Sequence, residues 1–160
     1  MATLTPELKA RFREYVEAAH RARADLEYLL EQLGEDVAAD MSVESLEQLE
    51  ALYWKYSSEG GYPEGFGALQ DYLELICRYL GQCIVERCSG KWVQTTERNR
   101  RFGQPCIDGF GNKKWDKVYP VSLAESLPTL ASTNPSFPGA REGRVLARQL
   151  EKAIKISGQS

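Results

Sequence analysis

The sequence predicts an α+β fold: three N-terminal helices and one C-terminal helix around a three-stranded antiparallel sheet at about residues 91–123. Three observations carry this. Apolar residues recur at steps of three and four along most of the chain, the period of an amphipathic helix. The segment Gly90–Pro120 drops that period and fills with β-formers and turn residues, and it holds two of the three tryptophans, Trp92 and Trp115. The helical period then returns near residue 140. A chain of 160 residues suits one domain. It divides into a helical part at 5–89, a β part at 90–123, a loop at 128–139 and a last helix at 140–156.

The first helix starts on Thr5, a good N-cap, with Pro6 at the first helical position and Glu7 at the positive helix end. Leu8, Phe12, Tyr15, Ala19, Ala22, Leu26, Leu29 and Leu33 form one narrow seam, and Gly34 ends it. The second helix follows Ser42 and puts Val43, Leu46, Leu49, Tyr53 and Tyr56 on one side. Ser57–Gly67 has four glycines and a proline, which predicts an exposed loop. The third helix, about Ala68–Cys88, has the widest apolar arc and should be central. Gly81 in its middle costs about 1 kcal/mol against alanine, so another backbone is expected to come close there.

Three strands follow: Lys91–Thr96, Gln104–Asp108 and Trp115–Leu123, with Asp108–Asn112 as a turn. Trp92, Trp115 and Tyr119 are expected to seal this sheet on the third helix. Ser122 and Glu125 suit a capping box for one short helical turn. Pro128–Gly139 has three prolines and reads as a loop, and the tail Ser157–Ser160 reads as disordered.

Charge is divided along the chain. Residues 1–76 hold 16 Asp/Glu and 6 Lys/Arg, whereas residues 77–160 hold 7 and 14. Such a division marks either a surface for an oppositely charged partner or two halves that dock on each other. The four cysteines, Cys77, Cys83, Cys88 and Cys106, lack metal-ligand spacing and read as buried thiols. The polar start MATLTPELKARF resembles no secretory leader, and no apolar run is long enough for a membrane span, so a cytoplasmic location is expected.

Catalytic signatures are weak. His20 has no nameable partner for acid–base work. The carboxylate pairs Glu14/Glu17, Glu44/Glu47 and Glu47/Glu50 read as solvated helix faces away from the apolar stripe, and Glu17-x-x-His20 lacks the second copy of a di-iron pattern. The G-x-G pairs at Gly65–Gly67 and Gly109–Gly111 lack the rest of a phosphate cradle. No cofactor, metal or catalytic residue is therefore named. A basic cluster of Arg98, Arg100, Arg101, Lys113, Lys114 and Lys117, interleaved with Phe102, Phe110 and Trp115, suits phosphate contact and base stacking. The acidic pI of about 5.3 weighs against a nucleic-acid partner.

The order of elements over about residues 68–127 resembles bacterial immunity proteins of polymorphic toxin systems. The residues that carry this are Leu80-Gly81, Gly90, Lys91-Trp92-Val93, Phe102-Gly103-Gln104-Pro105 and Tyr119-Pro120. The resemblance implies a cytoplasmic, non-enzymatic inhibitor that binds one toxin. Its expected contacts are Glu44, Glu47, Glu50 and Glu59 on a carboxylate-rich face, with Tyr62 and Phe66 as aromatic anchors. A nucleic-acid or nucleotide module using 98–117 is the alternative.

Overall fold

A computed structural model describes residues 3–158. The helices are α1 (Pro6–His20), α2 (Ala22–Leu33), α3 (Val43–Ser58), α4 (Leu69–Cys88), α5 (Pro120–Ser126), α6 (Leu130–Thr133) and α7 (Val145–Ser157). The strands are β1 (Lys91–Gln94) and β2 (Pro105–Asp108). They pair antiparallel, with Trp92 opposite Ile107. The fold is thus mostly helical with one small sheet. No helix among the described residues is long and apolar enough to cross a membrane.

The expected four helices and three strands are corrected at five points. The N-terminal seam is not one rod. Arg21 interrupts it, its N–H shared between the Ala18 and Ala19 carbonyls. Ala19 and Ala22 flank the break and are fully buried, so the chain can bend there and lay α1 along β1, β2 and α4 while α2 continues along α4. The third strand shrinks to a bridge in which Ile107 and Val118 exchange both backbone hydrogen bonds. Pro120 has no N–H to extend a ladder and instead opens α5. No capping box forms: the Ser122 hydroxyl turns to Gln104 Oε1, 3.2 Å away. The 128–139 segment is partly helical, through a 3-10 turn at Leu127–Thr129 and then α6. Of the tail read as disordered, Ser157 ends α7 and Gly158 caps it in the left-handed conformation, while residues 159–160 lie outside the described residues.

The core is arranged around α4, which packs on α1, α2, α3, α5, α7 and β2. Its Tyr72, Leu73, Ile76, Tyr79, Leu80 and Ile84 are almost wholly buried. Buried hydroxyls find partners: Tyr72 donates to the Leu49 carbonyl at 2.6 Å, and Tyr79 accepts from the Met41 N–H at 2.7 Å. Gly81 makes room for a side chain, not a backbone. A Cβ there would lie 2.4 Å from Trp92 Cη2 and 2.9 Å from Ile107 Cδ1. Trp92 is pinned over it by donating from Nε1 to Gln82 Oε1 at 3.1 Å. All four cysteines are free and buried, and burial pushes the Cys83 thiol up to about 12.

Candidate functional site: a basic aromatic groove

The acidic face of α3 is built inward. Glu50 is fully buried. Its Oε1 accepts the Leu146 N–H at 2.9 Å and its Oε2 accepts from Trp54 Nε1 at 3.1 Å, so it caps α7 from another helix. Burial raises its pKa, opposed by those donated hydrogen bonds. Glu47 pairs with Arg144, which also reaches Glu151 at 3.1 Å. Here the acidic half docks on the basic half. Of the expected contacts, only Glu44 and Glu59 are exposed. Tyr62 and Phe66 are half-buried and clustered, with Tyr62 edge-on to Tyr56 and Tyr72, so they are packed rings and not free anchors. Glu50 lies four residues after Leu46 and three before Tyr53, at the border of the apolar stripe. That placement was the available sign of burial.

On the opposite charge, the chain assembles a groove from the β1–β2 connection, the loop after β2, α5, the α6–α7 connection and α7. Two adjoining hollows, of about 290 and 340 Å³, share Arg101, Ser122 and Ser126. Arg100, Arg101, Lys117 and Lys152 supply cations along them. Trp115, Tyr119 and Phe137 supply rings. Glu125 sits at one end as an opposing carboxylate.

Local chemistry sets each wall. In the β1–β2 connection, Asn99 Oδ1 accepts the Arg101 N–H at 2.8 Å. Gln94 Nε2 donates to the Gly103 and Leu8 carbonyls, tying this loop to α1. Arg101 then lies flat over Tyr119, its guanidinium carbon 4.2 Å from the ring centroid. Its Nε is buried without a hydrogen-bond partner. In the loop after β2, Asp116 Oδ2 accepts the Lys113 N–H at 3.1 Å. Gly111 permits this turn, since a Cβ there would stand 2.4 Å from the same oxygen. The result is a Trp115 that is 68% exposed, not packed on α4 as expected. Lys113 Nζ lies 5.4 Å from its ring centroid.

The sequence-derived basic cluster is therefore divided. Arg100, Arg101 and Lys117 line the groove, whereas Arg98, Lys113 and Lys114 are exposed outside its lining. Phe110 is a core residue, 6% exposed, and offers no stacking face. Lys152 and Phe137 went unnoticed because they are far from 98–117 in sequence, and nothing local marks Lys152 apart from its place off the α7 apolar stripe. Among the described residues no group of His, Cys, Asp or Glu is arranged to hold a metal. No protein-family model, curated protein or solved structure matches the chain.

Proposed function

We propose that this chain is a non-enzymatic binding protein that inhibits a partner protein by seating an acidic segment of it in the basic aromatic groove. What supports the reading is the convergence of Arg100, Arg101, Lys117 and Lys152 with Tyr119 and Phe137, in a chain whose net charge is −3. Arginine and aromatic residues supply most strong interface contacts. A local basic groove on a chain of net charge −3 attracts a short acidic segment. A secreted toxin as the partner follows from the immunity-protein resemblance of residues 68–127. Docking through the α3 carboxylates is not carried forward, since Glu47 and Glu50 are engaged internally. The proposed place of action is the cytoplasm, which suits free thiols.

The test is copurification from the native host, followed by affinity measurement on the captured partner. Arg100→Ala with Arg101→Ala is expected to weaken binding about tenfold or more and to flatten its salt dependence. Unchanged affinity in that variant would remove the groove from the reading.

One observation favours a second reading, single-stranded nucleic acid: the exposed Trp115 ring beside Lys113. Stacking on such a ring contributes about 1–3 kcal/mol per base. Under this reading a short oligonucleotide at low salt quenches tryptophan fluorescence, and Trp115→Ala abolishes the quench. Under the first reading the oligonucleotide leaves the fluorescence unchanged.

A further inference from the structure

We infer that the pocket between α1, α4 and α5 binds a small zwitterion with an apolar side chain, of the α-amino-acid type. This site shares only Glu125 with the groove and does not rest on the protein-inhibitor reading. The pocket has a volume of about 230 Å³, room for on the order of eight water molecules. Pro120, Val121 and Ala124 of α5 give it an apolar wall. Its charged lining is Glu74 and Arg78 from α4 and Glu125 from α5.

The three charges are not used up by one another. Among the described residues Arg78 has no carboxylate partner, although Glu74 lies one turn before it on the same helix. Its Nε is buried with no hydrogen-bond partner. Its guanidinium carbon rests 5.7 Å from the centroid of the Tyr15 ring, which leaves the planar fork free for a carboxylate. Glu74 and Glu125 have no cationic partner either. Tyr15 lines the same space, and burial keeps its phenol protonated as a donor.

Charge complementarity then selects the occupant. A simple anion would answer Arg78 but meet two carboxylates. A simple cation would answer Glu74 and Glu125 and leave the buried guanidinium edge unmet. A molecule with a carboxylate and an ammonium on one carbon answers both, and an aliphatic substituent covers Pro120, Val121 and Ala124.

The experiment titrates the full chain by calorimetry with three probes: leucine, N-acetylleucine and leucinamide. Leucine is expected to bind, and each blocked probe to bind about tenfold or more weakly. N-acetylleucine also stands for a peptide C-terminus, and leucinamide for a peptide N-terminus. Glu125→Gln, a change at an exposed residue, is expected to weaken leucine and to leave N-acetylleucine no weaker, since one repelling carboxylate is gone. Arg78→Gln is expected to weaken leucine and N-acetylleucine and to leave leucinamide no weaker. No binding of leucine at millimolar concentration would overturn the proposal. So would equal binding of a blocked probe, which would assign the pocket to a chain terminus instead.

Discussion

Glu50→Ala is expected to destabilise the protein by about 3 kcal/mol, read as a lower denaturant midpoint at unchanged m-value. The substitution strands a buried donor, the Leu146 N–H, and a part-buried one, the Trp54 indole N–H. A buried donor without a partner costs about 1–3 kcal/mol, and relief of the carboxylate's own burial offsets part of the sum. Glu50→Gln keeps the shape but has one acceptor oxygen for two donors, so a smaller loss of about 1–2 kcal/mol is expected.

The same residue gives a pH signature whose sign is fixed. Burial raises the Glu50 pKa in the folded state. The folded chain therefore holds the proton at pH values where the unfolded chain has released it. Stability from this group is greatest below the ordinary carboxylate range and falls as pH rises through the raised folded value. Subtracting the Glu50→Gln stability profile from that of the parent should leave that downward slope. An upward slope over the same window would mean that the donated hydrogen bonds outweigh burial.

Gly81→Ala is expected to cost about 2 kcal/mol, although alanine is the better helix former by about 1 kcal/mol. The added carbon would stand 2.4 Å from the Trp92 ring and 2.9 Å from Ile107. The indole cannot swing aside without losing its bond to Gln82, and Ile107 pairs with both Trp92 and Val118. Thermal unfolding with Gly81→Ala checks this. A stabilised variant would show that the ring moves freely.

Helix caps, apolar stripes and the central place of α4 were legible because each depends on residues within a turn or two. Thr5 and Ser42 cap as expected, and the left-handed Gly34 ends α2. What escaped depended on distance. The break at Arg21 serves two different packing partners, which a one-dimensional seam cannot express. The outward turn of Trp115 depends on Gly111 accommodating Asp116. Glu50 shares its helix with obvious surface carboxylates, and beyond its place at the border of the apolar stripe only a helix start 96 residues later sets it apart. Likewise the groove joins residues near 100, 117, 137 and 152; Arg100, Arg101, Trp115 and Lys117 were within reach of a local reading, whereas Phe137 and Lys152 were not.

The Glu50–Leu146 bond also bears on synthesis. A ribosome completes α3 long before the N–H that satisfies Glu50 exists. Until residue 146 has left the exit tunnel, the nascent chain carries a carboxylate that cannot be sequestered without its mate. Translation thus defers closure of this core until α7 has emerged, and a chain stopped before Val145 is expected to be cleaved by proteases faster than one that reaches Ser157.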